Sequence, residues 1–581
     1  MIITGKGKKY NVTQTLKYMW IGIGNTILRC GGGGVNWTAY WATLISATVE
    51  TTNPTKVVMT FSTANVDLIV TDFTITNWVI STLTRDATNK ILTLTVHKPV
   101  VYGDSLTITF VKTGGTVVVT NNVAMEAELT TYITGLVTPL SAGQKNKISR
   151  LISRLKVGLG IADLEDAFDT MYYRGNSTPE SSLRNLVKNA HHSTLAGTPN
   201  PTHVALEGFT GDGANGYIND HYDPSSEAVN FVQTSASVFC YIRTDVNEVS
   251  IDISCWRASV PTGVEILLLS DILYAYVNNA GQTGLARPDT RGFYFAVRGD
   301  VNDISYFING GSKTTEARPL VSIPVGNMGE LCRLDNGIPS LFSTKQGSFS
   351  GTGKYFSDAH VKVISDAVRE LMRSNNKDVT LYDRVLILGN SFTIIDPPDN
   401  IIWWGTWGMA ATIAENDYAH QLENMIQVRT PHCVVTSKNI AAWELAHTTY
   451  DKANFDAYFA SIPDCVILDI GENVTDETGF ATSIQNLINY VKSKAPDTRI
   501  IICGTFWGDF SMETFLQDAA TANGLTYVSL SALNIPANRA NIGDTVQGDD
   551  SLPHLINNSG VALHPNDTGH NLIAVEIYNA L

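Results

Sequence analysis

The spacing of apolar residues changes several times along the chain, and each change predicts a different element. Between Pro54 and about Asn122, the runs T-K-V-V-M-T-F-S, I-L-T-L-T-V, S-L-T-I-T-F-V and T-V-V-V-T mix apolar with β-branched residues, which predicts short strands separated by turns. From residue 140 to about 190 the period lengthens. Ile148, Leu151, Ile152 and Leu155 predict a helix there, and Leu164, Phe168 and Met171 a second, short one. Strands return beyond Pro201 in S-V-F-C-Y-I-R, V-E-I-L-L-L-S, I-L-Y-A-Y-V and G-F-Y-F-A-V-R. Ser357 then caps a helix running to about Arg373, with Val361, Ile364, Val368 and Leu371 on its apolar face. From Thr380 onward, apolar runs at 385–388, 433–435, 465–470, 499–503 and 526–530 alternate with helical patterns. Strands that are apolar on both faces are covered by helices on both sides, so this last region predicts a parallel sheet.

These patterns divide the chain into five segments. Residues 1–46 read as an arm that packs on a partner or as a flexible linker, ending in the Gly31–Gly34 run and the aromatic stretch Trp37–Trp41. Residues 47–122 predict an immunoglobulin-like β-sandwich, 123–199 a helical connecting segment, and 200–377 a larger antiparallel sandwich of jelly-roll type. The phrase G-F-T-G-D-G-A-N-G-Y-I, Gly208–Ile218, resembles the opening of lectin-like sandwich domains of phage tail proteins and related surface modules. Residues 378–581 predict an α/β domain with a parallel, flavodoxin-like sheet. The fold class expected is therefore multidomain, β-sandwich modules followed by α/β.

A length of 581 residues fits roughly three to four domains. The net charge of −15 argues against an extended phosphate-binding surface and so against nucleic acid as a partner. Seven cysteines without a C-x-x-C pair offer neither a zinc ribbon nor a thioredoxin-like motif. Cys240 and Cys255 read as isolated buried thiols, or else as a pair facing across strands, and the unpatterned odd count fits synthesis in a reducing compartment. M-I-I-T-G-K-G-K-K-Y has no apolar stretch of the kind a secretory leader carries, and Met19–Leu28 is too short and Gly-rich to span a bilayer.

Open parallel sheets bind ligands beyond the carboxyl ends of their strands. After the first α/β strand comes G-N-S, ending at Ser391; after the third, G-E-N, Gly471–Asn473; near the chain end, V-A-L-H-P-N-D-T-G-H, Val561–His570. In this order the three blocks resemble those of the SGNH (GDSL-like) hydrolases, over about residues 380–581. A literal G-D-S-L at Gly103–Leu106 is a decoy, because its serine enters a period-two strand. Thr393 stands where the nucleophile elbow of ordinary α/β-hydrolases has glycine, so that family fits less well.

The resemblance implies a Ser391 nucleophile and a His564 base, since a serine hydroxyl attacks an acyl carbon only when a base takes its proton. It implies an oxyanion hole from the N–H of Ser391 and the amide of Asn473, with Gly471 in the same block. The glycine of the family's second block has no counterpart in S-K-N-I-A-A-W-E, which leaves Ala441 or Ala442 as donor. The family's orienting Asp falls at Val561. Three alternatives follow: a dyad with His564 steadied by a backbone carbonyl, an acid reaching in from Asp549 or Asp550, or a site that does not turn over. Trp403, Trp404 and Trp407, in a loop rich in Gly and Pro, read as sugar-stacking residues or as loop packing. Asp567 reads as a cap or first-turn charge of the final helix, and His554, His564 and His570 lack the spacing of a metal site, so no metal or cofactor is expected.

The combined expectation is an esterase releasing O-acyl groups, acetyl above all, from a host-surface polysaccharide. The modular architecture resembles that of phage tail or virion appendages. That likeness implies a virion location after synthesis in the host cytoplasm, contacts to other tail proteins through the N-terminal segment, a trimer by analogy, and no membrane insertion. Two rivals stand beside it: a glycan-binding appendage whose SGNH-like domain has lost turnover, and a secreted bacterial carbohydrate esterase with accessory modules.

Overall fold

The computed structural model of the chain describes residues 20–23, 26–29, 44–52, 54–65, 68–75, 78–111, 114–281 and 284–581. The chain forms two compact units, Met1–Glu126 and Ala127–Leu581. Of the N-terminal arm, Trp20–Ile23 and Thr26–Arg29 pair antiparallel. The Gly31–Gly34 run and the Trp37–Trp41 stretch lie outside the described residues.

In the first unit, Leu44–Val49, Lys56–Phe61, Ile91–Val96 and Ile80–Arg85 form one antiparallel sheet in that order, and Phe73–Ile75, Leu106–Phe110 and Gly115–Val119 a second. Alternation sends Val57, Met59, Leu92, Leu94, Leu106 and Ile108 into a core that both sheets share. The G-D-S-L turn opens the strand Leu106–Phe110, in a different unit from Ser391.

The second unit opens with helices Ala127–Ile133 and Ala142–Leu159, the latter with Ile148, Leu151, Ile152 and Leu155 buried as its spacing predicts. Of the short helix expected around Leu164–Met171 only a three-residue 3-10 helix, Leu164–Asp166, forms, and it is followed by the strand Phe168–Tyr172, antiparallel to Gln346–Gly353. All five residues of that strand are buried, so it shows neither the alternation nor the helical stripe that sequence reading depends on. Its Asp169 accepts the backbone N–H groups of Val229, Asn230 and Phe231, which pins the strand to a neighbouring loop.

Two antiparallel sheets follow. One runs Thr202–Val204, Gly208–Thr210, Gln346–Gly353, Ala236–Ile242, Gly292–Arg298, Asp303–Ile308, Ser312–Ala317; the other is centred on Ile253–Arg257, Thr262–Leu269 and Ile272–Asn279. Cys240 and Cys255 both sit in the core between the sheets as free thiols. Helix Asp358–Ser374, capped by Ser357, packs on Ala142–Leu159. This sandwich is fastened to the α/β layer by buried arginines. Arg287 donates to the carbonyls of Val428 at 2.9 Å and Arg429 at 2.8 Å, and Arg369 pairs with Asp383 at 2.8 Å.

The α/β layer has five parallel strands: β1 (Arg384–Gly389), β2 (Val434–Asn439), β3 (Cys465–Asp469), β4 (Arg499–Cys503) and β5 (Thr526–Val528), in spatial order 2-1-3-4-5. Period two divides their side chains between two cores. Leu386, Leu388, Val466, Leu468, Ile500 and Ile502 pack with helices Phe480–Lys494 and Phe510–Asn523. Val385, Ile387, Cys465, Ile467, Ile501 and Cys503 pack with Tyr418–Gln427 and Asp567–Ala580. Each fully buried aliphatic is worth about 1.5–3 kcal/mol over exposure, which holds the carboxyl ends of β1–β4 in a fixed array. Among the described residues no helix is long and apolar enough to cross a membrane.

Candidate active site

β1 stops at Gly389 because a Cβ there would lie 1.9 Å from Thr393 Oγ1, so only glycine admits the tight turn. The turn is braced from below. Tyr418 OH hydrogen-bonds Thr393 Oγ1 at 2.6 Å and donates to Asp469 Oδ2 at 2.7 Å. Burial pushes the Asp469 carboxyl up to about 6, against the lowering effect of the Tyr418 hydroxyl. Asn390, fully buried, accepts from Phe392 N at 3.1 Å, and Ser391 stands at the tip, partly open.

The last block delivers His564 to that tip. Ser391 Oγ lies 2.8 Å from His564 Nε2, and His564 Nδ1 lies 2.9 Å from the carbonyl oxygen of Gly560. A carbonyl only accepts, so the proton sits on Nδ1 and the bare Nε2 lone pair faces the hydroxyl. Asn558 Oδ1 accepts from Gly560 N at 2.8 Å and Val561 N at 3.3 Å, which shapes the turn that aims the carbonyl. Phe392 and Trp507 meet the imidazole edge-on, at 4.9 and 5.5 Å between ring centroids. That burial pushes the His564 pKa down to about 4.

The candidate orienting acids are corrected by this geometry. Asp549 Oδ1 accepts from Thr406 N and Oγ1, each at 3.3 Å, and Asp550 pairs with His554 at 3.0 Å. Val561 points into an apolar cluster with Trp403, Trp407, Val546 and Ile556. Trp403 and Trp407 are core residues at 0% and 6% exposure, which corrects their assignment to sugar binding. Trp404 is half-buried and stacks on His554 at 4.5 Å.

Two oxyanion candidates are also corrected. Ala441 N donates to Asn439 Oδ1 at 2.9 Å, and Gly471 N donates to a carboxylate oxygen of Glu444. The N–H groups of Ser391 and Ala442 have no acceptor among the described residues. Asn473 Nδ2 donates one N–H to Glu444 Oε2 at 2.7 Å and keeps its second. His570 is structural: Tyr418 N donates to its Nδ1 at 3.3 Å, and its Nε2 meets Met409 O at 3.1 Å. Asn566 caps the final helix, while Asp567 in its first turn accepts from Thr412 N at 2.8 Å. Among the described residues no His/Cys/Asp/Glu group is placed to hold a metal ion.

Three residues at this site escaped the sequence reading. Glu444 is the one charged residue in A-A-W-E-L, the helix after β2; Glu472 is the middle letter of G-E-N; Trp507 follows β4. The strand-end rule applied to β4 finds Trp507. Its indole is 37% exposed, and Nε1 donates to Leu563 O at 3.0 Å. The Glu472 carboxyl, raised well above its usual range by burial and then by Asp469, accepts from Phe506 N and, at 3.4 Å, Trp507 N.

No protein-family model matches the chain, and no curated protein does. Among solved structures, the botulinum neurotoxin serotype D binding domain is similar over 35% of this chain and 52% of its own, at 9% identity and TM-score 0.25. The chain thus spans about half of that binding domain. A putative lipolytic protein of the G-D-S-L family from Desulfitobacterium hafniense DCB-2 is similar over 34% of this chain and 99% of its own, at 15% identity and TM-score 0.22. A family two carbohydrate esterase from Clostridium thermocellum, in complex with cellohexaose, is similar over 66% of this chain and 97% of its own, at 12% identity and TM-score 0.21. Likeness at this level carries no function, and the chemistry rests on the site.

Proposed function

We propose that the chain is a serine esterase that removes O-acyl groups, acetyl foremost, from a carbohydrate. One observation carries this reading: Ser391 Oγ sits 2.8 Å from a His564 nitrogen whose tautomer is fixed by the Gly560 carbonyl. His564 Nε2 takes the hydroxyl proton as Oγ bonds to the acyl carbon. The carbonyl oxygen gains negative charge beside the N–H groups of Ser391 and Ala442 and the free N–H of Asn473. Collapse breaks the bond to the sugar oxygen, which receives the proton from the imidazolium. Water then attacks the acyl-enzyme with His564 again as base, releasing the acid and restoring Ser391. The exposed Trp507 indole beside His564 offers a flat face for a sugar ring. A virion appendage that brings the esterase to a host glycan through its β modules is the setting we propose for it.

The test is covalent. A fluorophosphonate is expected to add to the peptide containing Ser391 and to stop acetate release from an acetylated xylan. Labelling elsewhere, or acetate release that survives full labelling, overturns the assignment. A second reading, glycan binding without turnover, draws on Val561 in place of the acid, and predicts no acetate release at all.

The depressed His564 pKa sets the pH profile. The neutral imidazole is the working form and is lost only as pH falls through about 4, so kcat/KM is expected to stay level from neutrality and to halve near pH 4. An acid limb near 6.5 would mean a solvated imidazole. Trp507→Ala is expected to raise KM for an acetylated xylo-oligosaccharide about tenfold, one ring contact of ~1.4 kcal/mol, with kcat changed less than about threefold. A fall in kcat alone would assign the indole to holding His564 rather than sugar.

A further inference from the structure

We propose that Glu444 is a positioning residue for the esterase reaction, holding the Asn473 amide so that a donor, never its carbonyl, faces the oxyanion. The inference rests on the esterase reading above. Glu444 is fully buried on the short helix Ala441–Leu445 at the end of β2. Its carboxylate accepts from Gly471 N and, at 2.7 Å, from Asn473 Nδ2. The backbone N–H of Asn473 and the side-chain amide of Asn390 also bond it and hold its pKa down against burial, although burial leaves it above the usual carboxylate range. One carboxylate thus gathers the ends of three strands: the turn after β1 through Asn390, its own after β2, and the G-E-N turn after β3.

The chemistry of the partners explains why an acid stands here. Every one of them is a donor, and an ionised carboxylate is the side chain that only accepts. Among the described residues no Lys or Arg pairs with it, so the site bears the cost of a buried anion for the sake of those donors. An asparagine amide is nearly symmetric in shape, and its last torsion is broad and two-fold. Unanchored, it would present Oδ1 to the developing oxyanion in one of its two poses, which repels. Against Glu444 only the nitrogen end fits. One N–H is consumed there, and the direction of the other is fixed in advance of substrate.

The experiment is a double-mutant cycle on the full chain, with p-nitrophenyl acetate as probe and melting transitions matched to wild type. Glu444→Gln, whose amide tolerates either pose of Asn473, is expected to lower kcat about ten- to hundredfold with KM within about threefold. In an Asn473→Ala background the same change is expected to cost less than about threefold, since the residue it acts through is gone. Equal losses in both backgrounds, or a kcat within twofold of wild type, overturn the proposal while Ser391-dependent turnover keeps the esterase reading intact. Turnover equal in wild type and Ser391→Ala removes both. Should Glu444→Gln not fold, Glu444→Asp keeps the charge but withdraws it by one methylene. It is expected to lower kcat about tenfold at constant KM, and an unchanged kcat overturns the proposal.

Discussion

Ser391→Ala is expected to lower kcat for p-nitrophenyl acetate by about 10⁴-fold, with the melting temperature essentially unchanged because Ser391 stands at a partly open turn. Its magnitude distinguishes what the Gly560 carbonyl contributes. In a full triad, loss of the serine costs about 10⁶ in kcat and loss of the acid alone about 3 × 10⁴, so a dyad whose imidazole nothing steadied would show only ~10². The 2.9 Å bond from Nδ1 to Gly560 O fixes tautomer and orientation but supplies a dipole where the triad has a charge. The expected value therefore lies between those limits. Steady-state kinetics on both proteins measures it. A ratio near unity ends the nucleophile assignment, and one near 10² removes the carbonyl's role.

Val561→Asp, which places an acid where the SGNH hydrolases that the sequence resembles carry theirs, is expected to destabilise the protein by ~3–5 kcal/mol and to leave kcat no higher. Val561 is 1% exposed among Trp403, Trp407, Val546 and Ile556, so a carboxylate there is buried without a cation. The hydrogen-bonding place on Nδ1 is already taken by Gly560 O. A drop of roughly 3–5 °C in the melting temperature of the second unit is the calorimetric signature. An unchanged melting temperature with faster turnover would show instead that the new carboxylate swings onto Nδ1.

What sequence could convey depended on how each element announces itself. The strands β1, β3 and β4 were legible because each is apolar on both faces, whereas β2 and β5 showed only short apolar runs. Ser391, Asn473 and His564 could be singled out because each follows such a strand or precedes the last helix. The strand Phe168–Tyr172 was not, since F-D-T-M-Y buries polar and apolar residues alike. Trp403 and Trp407 misled for a related reason: a loop rich in Gly and Pro looks exposed, yet here it folds over its own apolar cluster. Glu444 stayed hidden because its partners lie 27 to 29 residues away, or further, in the chain and meet only at the sheet edge. The orienting group of the histidine was legible only as one of three alternatives, a backbone carbonyl, and which residue supplies it was not, because every residue carries one.

That last point bears on how such a site drifts. Every amino acid carries a carbonyl, so no replacement at position 560 deletes the acceptor, and Gly560 itself adopts an ordinary right-handed φ of −67° that other residues share. A triad dies by a single codon change in its acid. This centre is vulnerable instead to insertions or deletions between Asn558 and His564, which re-route the turn. Sequence variation among its descendants is therefore expected to be freer at position 560 than at the turn-shaping Asn558 or the buried Val561, and strict in length across 558–564.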